Sequence, residues 1–297
     1  MLVGREPERQ RIARLVAGAR LGQSGVLVLR GEPGIGKTAL LEDTADCAGD
    51  MIVLRTSGSE PEAGLGFSGL HQLLLPALHL IEHIPAPQSD ALAVALMLRP
   101  GPAPGRFAVG AATLSLLSRY AEESPLLMLV DDAHLIDPPT AETLRFAARR
   151  LVADPIALLI SMRPDSGAIL GDAGLPVLDL SGLDLASATA LIAAASGGST
   201  NTNLAATLHR ATSGNPLALV ELARDLDRIR RLPPELPLPV PETVSRVFGR
   251  RIAALSESAR CALLVAVVAD GDLGVTARAA AALGKLDPAE AAPLACS

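Results

Sequence analysis

Short apolar runs alternate with longer segments of helical periodicity over the first 183 residues of the chain. Such runs are typical of strands that are buried on both faces of a parallel sheet. They are GVLVLR (25–30), MIVLRTSG (51–58), LLMLVDD (126–132), IALLISMR (156–163) and PVLDLSGL (176–183). Because strands alternate with helices, the pattern predicts a doubly wound α/β fold for this part of the chain.

The pattern changes after residue 183. Residues 184–231 are rich in Ala and Leu at helical spacing and contain no strand pattern, so we predict a small helical subdomain. Residues 232–241 are rich in proline, which predicts a stiff linker. A further helical unit begins after this linker, in residues 242–297.

Composition narrows the class of protein. The chain has 297 residues, a net charge of −6, 49% hydrophobic residues and 20% charged residues, which predicts a globular protein without a nucleic-acid or membrane surface. The cysteines are too few and too scattered for a disulfide framework or a metal site. The N-terminus lacks the apolar core of a signal peptide, and the apolar runs fall well short of the ~20 residues of a transmembrane helix. We therefore expect a soluble, cytoplasmic protein.

A glycine-rich loop, GEPGIGKT (31–38), follows the first predicted strand and precedes a predicted helix. It matches the P-loop pattern G-x-x-x-x-G-K-[ST], in which backbone N–H groups approach phosphate oxygens. Lys37 is expected to reach the β- and γ-phosphates, and the Thr38 hydroxyl to bind Mg²⁺. The glycines that permit the tight loop are Gly31, Gly34 and Gly36. Lys37 and Lys285 are the only lysines of the chain, which favours a chemical role for Lys37.

Two adjacent carboxylates end the third predicted strand. Asp131 is expected to hold Mg²⁺ through its water shell, as a Walker B residue does. Asp132 is placed to polarise or orient a water molecule that attacks the γ-phosphate; the alternative is that it caps the following turn. His134 has a weaker case for a role in the chemistry: it either makes a supporting polar contact or is a plain surface residue.

Two further positions stand out in the sequence. Arg163 follows the fourth predicted strand, and ligands bind at the carboxyl ends of parallel strands. It could sense the γ-phosphate or simply pair with a nearby carboxylate. The stretch Gly214-Asn215-Pro216 predicts a turn with proline in the first position of a helix.

Taken in order, these segments resemble the signal-transducing P-loop ATPases of the STAND class. LVGREPERQRI is similar to the hhGRExE motif of that class, and GEPGIGKTALL, LVDDAHLID, SMR and SGNPLALVEL follow in the same order. The chain is most similar to the ATPase half of the large ATP-binding LuxR-type transcriptional regulators. FSGLHQLLLPAL, RFAVGAATLSLL and TLRFAARRL also resemble that group, and the resemblance covers about residues 2–295.

The resemblance implies an AAA+/STAND-type P-loop NTPase with a parallel sheet, followed by a helical lid and the start of a winged-helix domain. The implied domains are an ATPase domain (1–183), the lid (184–231), the linker (232–241) and a partial winged helix (242–297). The implied adenine contacts are Val3 and Arg5, with Pro216 closing over the base from the lid. The implied phosphate and Mg²⁺ site is Gly36, Lys37 and Thr38, with Asp131 and Asp132 as Walker B pair and Arg163 as sensor. Leu135 replaces an aromatic residue of the family pattern.

The implied function is an ATP-binding switch that hydrolyses ATP slowly, self-associates in the ATP state and is reset in the ADP state. Relatives continue into a helical-repeat sensor and a DNA-binding helix-turn-helix, whereas this sequence stops at PAEAAPLACS. We therefore expect no direct DNA contact. We expect the chain to be a fragment, a truncated gene product or a stand-alone module. The alternatives are an AAA+ remodelling motor, a P-loop kinase and a degenerate nucleotide-binding module.

Overall fold

The computed structural model describes residues 2–164, 169–170, 174–198, 201–224, 226 and 256–268. The chain divides into two compact units, Met1–Arg224 and Asp225–Ser297. Among the described residues, the strands and nine helices belong to the first unit. The second unit contributes one described helix, Glu257–Val268 (α10). The predicted linker, and most of the predicted winged helix, lie outside the described residues.

The first unit is built on a parallel sheet. In the described residues its strands are β1 (Gly25–Gly31), β2 (Ile52–Ser57), β3 (Leu126–Asp131), β4 (Ile156–Met162) and β5 (Val177–Leu180). Their order is β2-β3-β4-β1-β5, and every neighbouring pair is parallel. All strands therefore end at the same edge, where the predicted functional residues follow β1, β3 and β4. The predicted α/β fold is confirmed.

Helices cover both faces of this sheet and extend beyond it. They are α1 (Glu6–Arg20), α2 (Lys37–Asp46), α3 (Ser68–Leu74), α4 (Ala86–Ala95), α5 (Arg106–Ala121), α6 (Pro138–Ala148), α7 (Leu185–Ser196), α8 (Thr202–Thr212) and α9 (Pro216–Arg224). Short 3₁₀ segments lie at Glu60–Glu62, Leu75–His83 and Ala133–Leu135.

Two aliphatic cores hold the layers together, one on each face of the sheet. Successive side chains of a strand point to opposite faces, so Val28 belongs to the core that includes Leu116 of α5, whereas Leu29 belongs to the core that includes Ile12 of α1. Strand β4 is buried along its whole length. An apolar run that is buried on both faces is the pattern that predicted these strands.

The described part of residues 184–231 is helical and forms α7, α8 and α9. Its helices bury small and aliphatic side chains, among them Ala188, Ile192 and Leu219. A tight crossing joins it to the end of the sheet: the Leu183 N–H donates to the Gly214 carbonyl (2.9 Å), and a Cβ on Gly182 would lie 1.9 Å from the Ser213 carbonyl oxygen. The backbone that leads into α9 is therefore fixed against the segment that follows β5.

Asp137 connects α6 to the segment that precedes α3. It is 2% exposed, and its Oδ1 accepts hydrogen bonds from the N–H groups of Phe67 (2.7 Å) and Thr140 (3.0 Å), while its Oδ2 accepts one from Gly69 (3.1 Å). Asp137 is thus the N-cap residue of α6. The same carboxylate also satisfies two N–H groups about 70 residues away in sequence.

Replacing Asp137 with Ala should lower the free energy of unfolding by about 3 kcal/mol. The variant loses a helix cap and leaves buried donors without a partner, and these effects cost roughly 1–2 and 1–3 kcal/mol. Urea denaturation followed by circular dichroism measures the loss. Asp184→Ala is the matched control, because Asp184 is an exposed cap of α7 that bonds the Ser187 N–H within its own helix. Equal losses for the two variants would show that the bonds from Asp137 to Phe67 and Gly69 contribute nothing to the free energy of unfolding.

Candidate nucleotide site

The glycine-rich loop joins β1 to α2 with two residues in left-handed conformations. Gly34 has φ +77° and Gly36 has φ +103°, a region that favours glycine. Gly36 immediately precedes α2, so the loop ends at a helix N-terminus, where unpaired N–H groups and the helix dipole attract anions. The strand, loop and helix thus have the order that phosphate binding requires.

Lys37 is the first residue of α2, and its side chain is directed back to the loop. It is 7% exposed, and its Nζ donates to the carbonyls of Gly31 (2.8 Å) and Glu32 (3.0 Å). Burial lowers the pKa of Lys37, the nearby carboxylates of Asp132 and Asp131 oppose this effect, and Arg163 adds to it. These charges act on one another, so the structure brings the predicted phosphate ligand, both Walker B residues and the predicted sensor to one place.

Thr38 and Asp131, the two residues predicted to hold Mg²⁺, contact each other. The Thr38 hydroxyl donates to Asp131 Oδ2 at 2.8 Å. Asp131 Oδ1 accepts from the Ser161 hydroxyl and from the Asp132 N–H (3.0 Å). No cluster of three or more His, Cys, Asp or Glu that could hold a metal occurs among the described residues. A hydroxyl and one carboxylate suit Mg²⁺, which keeps several waters and takes its other ligands from phosphates.

Asp132 has an unusual backbone conformation, with φ 44° and ψ 46°. Its N–H is held by Asp131 Oδ1 and by the Ser161 hydroxyl, both at 3.0 Å. Its side chain makes no capping hydrogen bond to the following turn and is 41% exposed. The capping role therefore has no bond to support it, and the carboxylate is available at the strand edge beside Asp131.

Arg5 supports the phosphate loop through a hydrogen bond to its backbone. It is 3% exposed, and its Nη2 donates to the carbonyls of Ile35 (2.9 Å) and Ser181 (2.7 Å), while Nη1 pairs with Glu8 (2.8 Å). The guanidinium therefore ties the loop to the backbone that follows β5. The neighbouring Val3 is half-buried. An adenine contact for Val3 and Arg5 stays a prediction.

The start of α9 lies directly on the phosphate loop. Asn215 is buried, and its Nδ2 donates to the Pro33 carbonyl at 2.9 Å, while the Leu217 N–H donates to the Gly34 carbonyl at 3.2 Å. Asn215 Oδ1 accepts from the Leu217 N–H (3.1 Å) and so orders the first turn of α9. A Cβ on Gly34 would lie 2.8 Å from Leu217 Cβ. Pro216, the predicted lid residue, thus stands between two residues that contact the loop.

Residues 1–160 match the family of AAA ATPase domains. The chain belongs to this family. The match includes the glycine-rich loop and both Walker B aspartates, so this is a nucleotide-binding ATPase domain of the P-loop type. No curated protein sequence matches the chain.

Several solved structures resemble this AAA ATPase domain at low sequence identity. A RuvB variant from Thermotoga maritima is 16% identical, with 96% of this chain and 85% of that chain covered and a TM-score of 0.46. A STAND protein with a tetratricopeptide repeat sensor from Pyrococcus horikoshii is 19% identical, with 86% and 33% covered and a TM-score of 0.43. A HORMA–CdnC–Trip13 complex from E. coli contains a chain that is 15% identical, with 84% and 89% covered and a TM-score of 0.49.

The AAA ATPase domain uses residues that the sequence pattern did not single out. Ser161 is fully buried in β4 and supports both Walker B aspartates; a serine in an otherwise apolar strand is the signal that could have found it. Asn215 was noted only as part of a turn. His134, predicted to support the site or to lie on the surface, has a side chain that is only 6% exposed. Within the described residues, no helix is long and apolar enough to cross a membrane.

Proposed function

We propose that this AAA ATPase domain is a nucleotide-operated switch that binds ATP or ADP with Mg²⁺ and hydrolyses ATP slowly. The observation that carries the proposal is the direct contact between the phosphate loop and α9. Two loop carbonyls, of Pro33 and Gly34, accept hydrogen bonds from Asn215, which precedes that helix, and from Leu217 in its first turn. The N–H groups of this loop bind phosphate and its carbonyls bind the lid, so the loop couples phosphate binding to the position of the lid.

The strength of this contact suits a switch. Each net hydrogen bond contributes about 1 kcal/mol, so the pair amounts to roughly a tenfold or larger change in the ratio of closed to open lid. A nucleotide shifts such an equilibrium only by its differential affinity for the two states. Contacts to the γ-phosphate, present with ATP and absent with ADP, are a sufficient source of that difference.

The chemical step follows from the residues at the strand edge. Lys37 would hold the β- and γ-phosphates, and Thr38 and Asp131 would hold Mg²⁺, which neutralises charge on the phosphates when bound. Asp132 would orient a water whose oxygen bonds to the γ-phosphorus as the bond to the bridging oxygen breaks. The electron pair of that bond leaves with ADP, and the water proton passes by way of Asp132 to the phosphate product. Arg163 would sense the γ-phosphate from the end of β4.

The class of regulator is proposed from the sequence resemblance alone. The order of motifs supports a STAND-type ATPase of a LuxR-family transcriptional regulator in the cytoplasm, in which the ATP state self-associates. Val3, Arg5 and Pro216 would then lie around adenine. A steady-state rate well above roughly one per second would instead favour a remodelling motor.

Asn215→Ala tests the coupling between nucleotide and lid. In the wild type we expect amide hydrogen exchange in Pro216–Arg224 to differ between ADP and a non-hydrolysable ATP analogue. The variant loses the bond to Pro33 and the order of the first helical turn, so that difference should fall by more than half. Hydrogen-exchange mass spectrometry in both nucleotides gives the measurement.

The matched control is Asn201→Ala. Asn201 caps the neighbouring helix α8 through a bond to the Asn203 N–H (2.9 Å), and it forms no hydrogen bond with the phosphate loop among the described residues. It should leave the difference between nucleotides unchanged. Identical exchange of α9 in both nucleotides in the wild type would rule out the switch.

A further inference from the structure

His134 is a buried side chain next to the proposed catalytic carboxylate. It lies in the 3₁₀ segment Ala133–Leu135 that directly follows Asp132. Its side chain is 6% exposed, and its Nδ1 is 3.9 Å from Asp132 Oδ1. Both ring nitrogens are buried without a hydrogen-bond partner, whereas the great majority of buried polar atoms have one. A buried polar group without a partner costs about 1–3 kcal/mol, so this ring is placed for a bond that the site supplies.

Hydrogen bonds hold the backbone around His134, and its ring is buried. The Leu135 N–H donates to the Asp132 carbonyl (2.8 Å) and the Gly58 N–H to the Asp131 carbonyl (2.9 Å). A Cβ on Gly58 would lie 2.4 Å from the Asp132 carbonyl oxygen, which shows how closely the residue after β2 approaches this turn. The side chain of Asp132 is about two-fifths exposed, so it is freer to move than the buried ring and can rotate toward it.

The charge state of His134 suits a donor to Asp132. Burial lowers the pKa of His134, Asp132 opposes this effect, and the cations Arg163 and Lys37 add to it. The ring is therefore neutral near pH 7, with one N–H donor and one acceptor nitrogen. In the tautomer with the proton on Nδ1, the donor faces the carboxylate.

We propose that His134 is a positioning residue for ATP hydrolysis: its Nδ1–H donates to Asp132 Oδ1 and fixes the carboxylate that orients the attacking water. His134 itself need not touch the nucleotide. It acts in this way only if the domain hydrolyses ATP as proposed, and its loss should reduce turnover without reducing nucleotide affinity.

The test compares His134→Phe with His134→Gln. Phenylalanine keeps a ring in the buried site without nitrogens, whereas glutamine keeps an N–H donor. We expect His134→Phe to lower kcat roughly 10- to 100-fold, the usual range when a supporting hydrogen bond to a functional group is removed. The Kd for a fluorescent ATP analogue should stay within about twofold, and His134→Gln should recover much of the rate. His79→Phe is the matched control, because His79 is exposed and pairs with Glu123.

A double-mutant cycle with Asp132→Ala separates positioning from general packing. If His134 acts through Asp132, then His134→Phe should change kcat by less than about twofold in the Asp132→Ala background. An equal loss in both backgrounds, or a wild-type rate for His134→Phe, would overturn the role of His134. If His134→Phe does not fold, as judged by thermal melting, His134→Ala takes its place in the cycle. A wild type that binds ATP but does not hydrolyse it would instead overturn the proposed function.

Discussion

Lys37→Ala is expected to lower ATP affinity roughly 100-fold or more. The ammonium group makes charge-assisted hydrogen bonds to phosphate, and each such bond contributes about 1.5–3 kcal/mol, where 1.4 kcal/mol is a factor of ten in Kd. Lys37 already lies within the loop, bonded to the carbonyls of Gly31 and Glu32. It therefore needs only to exchange these partners for phosphate oxygens. Isothermal titration calorimetry with MgATP measures the loss.

The variant should remain folded, which makes the binding result interpretable. Burial lowers the pKa of Lys37, which means that the charged form is less stable in the folded site than in water. Removing this charge relieves that cost and offsets the loss of the hydrogen bonds to Gly31 and Glu32, so the nucleotide-free variant should melt close to the wild-type temperature. Lys285→Ala is the matched control, since it removes the chain's other lysine outside the nucleotide motifs. Equal ATP affinity in the wild type and Lys37→Ala would contradict the assignment of the phosphate site.

Local pattern was sufficient to predict the parts of the site that are contiguous in sequence. A glycine-rich loop between an apolar run and a helix specifies its own geometry, because φ +77° at Gly34 and φ +103° at Gly36 favour glycine. Asp131 and Asp132 were found for a similar reason, since a buried parallel strand ends where its apolar run ends. Both predictions depend on neighbours along the chain.

The hydrogen bonds that support the site could not be predicted in this way, because their donors and acceptors are distant in sequence. Arg5 reaches Ser181, and Asn215 reaches Pro33, across 176 and 182 residues. Periodicity says which face of an element is buried, but it does not say which backbone carbonyl a buried donor will meet. Arg5 was for this reason predicted only as an adenine contact, and Asn215 only as part of a turn.

The burial of His134 shows the same limit at short range. It stands three residues after Asp131, in a segment that sequence pattern would equally allow on the surface. The turn that contains His134 lies against Gly58, the residue after β2, where a Cβ would be 2.4 Å from the Asp132 carbonyl oxygen. This contact depends on β2 lying beside β3 in the sheet, and the order of strands is not written in any single segment.

Asp132→Ala should separate ATP binding from ATP hydrolysis. We expect kcat to fall about 100-fold or more, because a positioned carboxylate that accepts a proton contributes roughly 10²–10⁴ to a rate. MgATP affinity should stay within about threefold, since Asp132 lies outside the proposed Mg²⁺ pair of Thr38 and Asp131. A phosphate-release assay and calorimetry on the same preparation measure both quantities.

The structure predicts that the two adjacent aspartates respond differently. Asp131 accepts hydrogen bonds from Thr38, Ser161 and the Asp132 N–H. Asp131→Ala should therefore weaken Mg²⁺-dependent nucleotide binding and also destabilise the end of β3. The Asp132 side chain makes no capping bond, and its removal should leave the melting temperature unchanged. Asp50→Ala, which removes an exposed carboxylate paired with Arg20, is the control for charge. If Asp132→Ala turned over ATP at the wild-type rate, the water would have to be oriented by another group, and the position of His134 beside this carboxylate would lose its functional meaning.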